Sequence, residues 1–211
     1  MSRPKNQATQ ARTPQRERGK LRVAALLEAA EAVFAEKGCD AATMTEIAAR
    51  AGAPIGSLYQ FFPNMEALAD ALLARYSQRV DDALGRIEER AMEMPIARLT
   101  DALLDLLVTF REERTAALTL IDSRRDSPAR PSHLRLAMRR RIAGILRVRA
   151  PQLPLRDAEN MAVVVLHLMK ASAMLSVEEG LEARAEAIEE LRHAARGYLM
   201  SRMGCSERYG V

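Results

Sequence analysis

Thr43, Thr45, Ser57, Tyr59 and Gln60 crowd hydrogen-bonding side chains into residues 43–60, in a chain with few aromatic residues. Hydroxyls at positions 57 and 59 can donate to phosphate oxygens. Gln60 can read the edge of an adenine or hold a phosphate. Thr43 and Thr45 stand where a helix start offers amides and hydroxyls to an anion. Such groups are useful only if short helices hold them outward. The local sequence is punctuated for that: Thr43 followed by Glu46 forms a capping box, Gly52, Ala53 and Pro54 break the chain, and Pro63 stops it again. Two helices of about two turns joined by a tight turn make a helix-turn-helix. Helices this short need a buried face to persist. Ile47, Ala48, Leu58 and Phe62 supply it, with Phe61 expected over the junction to the next helix.

The elements around this stretch read as helices throughout. Val23, Leu27, Ala30 and Phe34 recur at three-to-four-residue spacing and predict a helix over residues 19–37, ended by Gly38. From Asn64 a long helix is expected to about Met92, with Leu68, Leu72, Tyr76, Val80, Leu84 and Ile87 along one stripe. Pro95 suits the first turn of the next helix, expected to end near Glu113. Further helices are predicted over residues 115–124, 132–148, 157–179 and 182–203. No strand and no internal repeat is evident. The expected fold is all-α: a basic arm over residues 1–18, a three-helix helix-turn-helix domain over 19–63, and a larger helical bundle over 64–211.

Charge is uneven. Residues 1–22 hold seven bases against Glu17, a local charge of +6, whereas the whole chain carries +4. The arm is thus the part fitted to attract a polyanion, by minor-groove or phosphate contact, unless it is an ordinary solvated tail. A second basic stretch, residues 124–149, holds nine arginines against Asp126. Its arginines do not share one helical face, which favours a solvated surface paired with acidic neighbours over a site for an acidic effector. Cys39 and Cys205 form neither a disulfide framework nor a metal signature, so a reducing cytoplasm is expected. No apolar leader is seen, and the apolar run at residues 161–177 includes His167 and Lys170, as in a buried helix and not a membrane span.

Gly38, Thr43, Thr45, Glu46, Ile47, Ala48, Ala51, Gly52, Gly56, Leu58, Tyr59, Phe62, Pro63, Asn64, Glu66 and Leu68 stand in one contiguous pattern that resembles the DNA-binding domain of TetR-type transcriptional regulators. The resemblance covers residues 20–70. It implies DNA contacts by Thr43, Thr45, Ile55, Gly56, Ser57, Tyr59 and Gln60. It also implies a homodimer on a palindromic operator in double-stranded DNA, and a small-molecule effector that releases a repressor. Activation by the same architecture is the alternative. Met65 stands where the family often has a phosphate-binding lysine, and Phe61 where His or Tyr is common.

The bundle supplies the remaining candidates. Residues 161–169 are apolar around nearly the full helical circumference, so one side can line the core and another can meet a second subunit. Val165, Leu168, Ser172, Ile188, Leu191, Ala195 and Leu199 are the expected dimer seam. Leu107, Phe110, His167 and Met169 are the expected effector lining, with a hydrogen-bonded core or interface role as the alternative for His167. A di-iron enzyme needs two Glu-x-x-His pairs, and only Glu190 with His193 fits that spacing. No phosphate-binding loop or nucleophile motif is present, so catalysis, a metal and a cofactor are not expected. A purely protein-binding adaptor would need neither the basic arm nor the polar set at residues 57–60.

Overall fold

A computed structural model describes residues 15–38, 41–111, 113 and 130–204. Among these the regular structure is eight helices: α1 Gln15–Lys37, α2 Met44–Arg50, α3 Ile55–Phe61, α4 Met65–Arg90, α5 Ile96–Thr109, α6 Arg130–Arg149, α7 Leu155–Leu175 and α8 Arg184–Met203. The helix expected over residues 115–124, both cysteines and residues 1–14 lie outside the described residues. α1 begins at Gln15, four residues inside the expected arm. Glu17 sits in its first turn, where the helix dipole favours an acid, and pairs with Lys20 at 3.2 Å.

Two apolar cores organise the chain. The smaller gathers Leu26, Ala30 and Phe34 of α1, Ile47 and Ala48 of α2, Leu58 of α3, Phe62 just beyond it, and Leu68, Ala69 and Leu72 of α4. The larger gathers Tyr76, Val80 and Leu84 of α4 with the inner faces of α5 to α8. The first core continues for two turns into α4, through Leu68, Ala69 and Leu72. α4 itself is started by Asn64, whose Oδ1 accepts from the Ala67 amide at 2.8 Å.

α7 is packed against both α5 and α6, with α8 alongside. Ala158, Met161, Ala162, Val165, Leu166, Met169 and Ala173 are all in the larger core. α7 is the one described helix long and apolar enough to cross a membrane. Its place at the centre of the bundle accounts for that composition.

Loss of the cap at the start of α4 should be felt by the whole chain, since both cores share this helix. Asn64→Ala is expected to lower stability by about 1 kcal/mol in urea denaturation, the usual worth of an N-cap.

Candidate nucleic-acid interface and effector region

The helix-turn-helix is built by two backbone devices. At the start of α2 the Glu46 amide donates to Thr43 Oγ1 at 3.2 Å, and the Thr43 amide donates back to Glu46 Oε2 at 3.3 Å. This is the expected capping box. At the end of α2 the Ala53 amide donates to the Ala48 carbonyl at 2.9 Å and the Gly52 amide to Ala49 at 3.1 Å. Those two bonds form a Schellman motif, and Gly52 takes the left-handed conformation it requires, with φ of 58°. The chain then turns through Pro54 into α3.

Two ion pairs fix α2 against the end of α1. Lys37 Nζ meets Glu46 at 2.5 Å, and Arg50 grips Glu36 with both terminal nitrogens at 2.6 and 2.5 Å. The hydrogen bond from Arg50 holds the Glu36 carboxyl below the usual glutamate range, and that from Lys37 does the same for Glu46. A lowered folded pKa favours the fold above the unfolded value and loses that effect as pH falls through the folded one. These ties are therefore intact at neutral pH and weaken in acid.

What α3 buries and what it exposes are cleanly divided. Leu58 is buried completely and Phe62 nearly so, while Ile55, Gly56, Tyr59 and Gln60 face outward and Ser57 is half-buried. Tyr59 is 51% exposed. A Cβ on Gly56 would touch nothing within 4 Å, so the surface beside it is open. Phe61 is partly exposed, so the two adjacent phenylalanines part company: Phe62 anchors the small core and Phe61 stands outside it. On α2, Thr45 is exposed, but the Thr43 hydroxyl is committed to the cap, where it also donates to Glu46 Oε2 at 3.2 Å. Met65 is half-buried against the small core.

The residues expected at a dimer seam divide differently. Val165, Ser172, Ala195 and Leu199 are covered within one protomer, Val165 to 3% exposure, whereas Leu168, Ile188 and Leu191 are half-buried. The outward side of α7 carries instead Val164, at 40% exposure, with Ala171 and Met174 beside Leu168. Leu191, Ala194 and Tyr198 continue a half-exposed strip along α8.

The four expected effector-lining residues are not gathered around one cavity. Leu107 and Met169 are inside the closed core, while His167 is exposed on α7, its Nδ1 2.7 Å from the Val163 carbonyl. Phe110 does border a groove of about 480 Å³ between α4 and α5, lined by the apolar Ala83, Ile87, Ala102 and Leu106 and by charges of both signs, Arg86, Arg90, Glu89 and Asp105. A cleft of about 480 Å³ between α4 and α6 is bordered by Asp70, Ser77 and His133. A third, of about 450 Å³, separates α1 from the end of α5 and is bordered by Glu28, Glu31 and Glu113. The described residues contain no cluster of three or more histidine, cysteine or acidic ligands able to hold a metal.

Sequence reasoning missed the ion pairs that cross between elements. Arg75 of α4 meets Glu31 of α1 at 2.9 Å, and Arg79 meets Glu113 at 2.6 Å. Arg192 of α8 pairs with Asp105 and Arg196 with Asp101 of α5, the latter at 2.7 Å. The four-residue spacing of Arg75 with Arg79, and of Asp101 with Asp105, was the available signal: each is a pair of like charges on one helix face.

A helix-turn-helix with an exposed polar second helix, carried on a helical bundle, defines a regulatory class of protein, and comparison gives the family. The model for "Bacterial regulatory proteins, tetR family" matches residues 26–72, and that for "Tetracyclin repressor-like, C-terminal domain" matches residues 95–199. The chain belongs to the TetR family of bacterial regulatory proteins. It is 42% identical over 71 residues to the HTH-type transcriptional repressor KstR2 of Mycobacterium tuberculosis, a match covering 30% of this chain and 36% of that protein. The chain thus spans about a third of the length of that relative. A transcriptional regulator from Rhodococcus sp. Rha1 superposes with a TM-score of 0.63 at 20% identity, over 85% of this chain and 96% of its own. Another from Aquifex aeolicus VF5 gives 0.62 at 18% identity, over 84% and 99%. At these identities the likeness is one of fold.

Gly52 is the position at which the site depends most on one residue type. Gly52→Ala meets no atom but must adopt a left-handed backbone, and is expected to cost about 1 kcal/mol in chemical denaturation.

Proposed function

We propose that this protein is a homodimeric, ligand-responsive repressor that binds a palindromic operator in double-stranded DNA in the cytoplasm. The observation that carries this reading is the outward face of α3. Ile55, Gly56, Tyr59 and Gln60 are presented together on a helix whose opposite side is fixed by Leu58, as a recognition helix in the major groove requires. Tyr59 and Ser57 position the protein on phosphates, Gln60 reads a base or a phosphate, and Thr45 offers its hydroxyl beside them. Thr43 contributes by holding α2 in place. Repression is the sense favoured by the 42% identity to a repressor over 71 residues.

Dimerisation falls to the outward faces of α7 and α8. Val164, Leu168, Ala171 and Met174 recur at three-to-four-residue spacing, as a helix-helix seam requires, and Leu191, Ala194 and Tyr198 extend it. The effector belongs in the bundle, and the α4–α5 groove fits it best among the described clefts. Its apolar side suits a small molecule with an apolar body, and Arg86, Arg90, Glu89 and Asp105 offer charged partners of both signs to its polar groups. Differential binding of that molecule to one geometry of the dimer would shift the two recognition helices off successive grooves. The proposed activity is binding alone, with no catalytic step.

Two measurements test the reading. Binding-site selection should return a (pseudo)palindrome with half-sites about one helical turn, ~34–36 Å, apart. Tyr59→Ala should then weaken binding to every selected sequence about tenfold, the loss of a hydrogen bond to a charged group, with thermal stability unchanged. An asymmetric, unrepeated motif would contradict the dimeric reading.

Adjacent substitutions separate seam from core. Val164→Glu is expected to give a folded monomer by light scattering with operator affinity lowered by ~100-fold or more, through loss of bivalent binding. Val165→Glu should instead unfold the protomer, since it buries a charge in the core. A Val164→Glu protein that remains dimeric would move the seam elsewhere.

A further inference from the structure

The helix-turn-helix meets the bundle through α4, and two arginines one turn apart on α4 make the ion pairs at that junction. Arg75 reaches back to α1, where its guanidinium lies 2.9 Å from Glu31; the side chains keep only 22% and 15% of their exposure. A second nitrogen of Arg75 reaches the Ala24 carbonyl of the same helix at 3.5 Å. Arg79 turns the other way. It meets Glu113, just beyond α5, at 2.6 Å and rests over the Phe110 ring, 5.3 Å from its centroid. The cleft between α1 and the end of α5 is bordered by Glu28, Glu31, Arg111 and Glu113, so the junction is open to water on one side.

We propose that Arg75 and Arg79 are positioning residues for DNA binding, forming a two-rung latch that fixes α1, and with it the recognition helix, at one angle to the bundle. The upper rung ties α1 to α4; the lower rung ties α4 to the end of α5. Apolar contact across the junction also comes from Leu72 and Leu73, which pack without regard to direction. The ion pairs add direction: a guanidinium satisfies a carboxylate over a narrow range of angles.

The charges around the rungs make the latch easy to open. Burial pushes the Glu31 carboxyl above the usual glutamate range; the Arg75 charge opposes this, and the Glu113 charge adds to it. Arg79 lowers it again and Glu28 raises it, so two cations and two acids face the group. A raised folded pKa means that neutral Glu31 suits the fold: its contribution is complete below the unfolded pKa and is lost as pH rises through the folded one. The ion pair needs the opposite protonation state. Acidification therefore opens the upper rung without a cost from Glu31 to the stability of the fold.

The inference rests on the regulatory reading above, and its experiment separates the two. Operator affinity is measured for the wild type, Glu31→Gln, Arg75→Gln, the double variant and Arg79→Met in the full chain. In parallel, fluorophores at Ala49→Cys on α2 and Arg98→Cys on α5, with Cys39 and Cys205 replaced by serine, report the angle of the helix-turn-helix without any DNA. Each single variant should lose about tenfold in operator affinity and broaden the distance distribution, while the Glu31→Gln/Arg75→Gln double loses no more than either single, as coupled partners do. Wild-type affinity should fall as pH drops toward the glutamate range more steeply than that of Glu31→Gln. Additive losses in the double variant would overturn the pairing. Wild-type distances in all variants would overturn the latch. Broadened distances in a protein that selects no DNA sequence would uphold the latch and sink the regulatory reading instead.

Discussion

α4 belongs to two hydrophobic cores, and the arrangement of the molecule follows from that sharing. Its first turns place Leu68, Ala69 and Leu72 among the residues of α1, α2 and α3; its later turns place Tyr76, Val80 and Leu84 among those of α5 to α8. A helix of 26 residues spans ~39 Å and bends little without a proline or a bulge, so the two cores sit at the ends of one stiff rod. Leu73 touches both cores and marks where one gives way to the other. A small domain of three helices, two of them seven residues long, could not hold its shape without this borrowed turn. The dependence also runs forward: any tilt of α4 within the bundle is carried to α2 and α3.

The bundle is arranged to let α4 be gripped from the side by charge. Gly85 and Gly144 bring α4 and α6 close enough for Arg141 of α6 to reach Glu88 at 3.2 Å and Asp81 at 3.6 Å. A Cβ at position 85 would lie 2.9 Å from the Arg141 guanidinium, and one at 144 would lie 3.1 Å from the Glu88 carboxylate. On the far side α8 is joined to α5 by Arg192 and Arg196 on Asp101 and Asp105. Apolar packing supplies the cohesion of the bundle, and these partly buried pairs specify the register of its helices.

Local grammar made much of this legible. The capping box at Thr43, the glycine that ends α2, the Asn64 cap and the burial of Leu58 and Phe62 are signals contained in a few consecutive residues, and each was readable in isolation. The two-faced apolar character of α7 was readable too, but not which face met which neighbour. Val165 and Val164 are chemically identical and adjacent; only the packing of α5 and α6 decides that the first is covered and the second is not. The same ambiguity put Leu107 and Met169 in an expected pocket, although core and pocket lining have the same composition. His167 went there for its chemistry, and the turn of α7 carries it outside. The Glu31–Arg75 pair joins residues 44 positions apart; the spacing of Arg75 and Arg79 marks two cations on one face but does not name their partners.

Electrostatics sets the remaining constraint on the proposed DNA face. Residues 43–63 contain one cation, Arg50, and it is neutralised by Glu36; Lys37 beside it is neutralised by Glu46. The recognition surface itself is thus close to neutral, with hydroxyl, amide and apolar groups but no free positive charge. Met65 adds none, since it is tucked against the small core. Attraction of a polyanion at a distance then has to come from elsewhere in the chain. Arg18 and Arg22 in the first turns of α1 stand among the bases that give residues 1–22 their charge of +6. Separating the two tasks has a physical benefit. Charge that draws the protein toward any phosphate backbone contributes nothing to discrimination, whereas neutral donors on a rigid short helix bind only where the groove presents matching acceptors. Rigidity is what gives such contacts their selectivity, and here it is supplied by Leu58, Phe62 and the first two turns of α4.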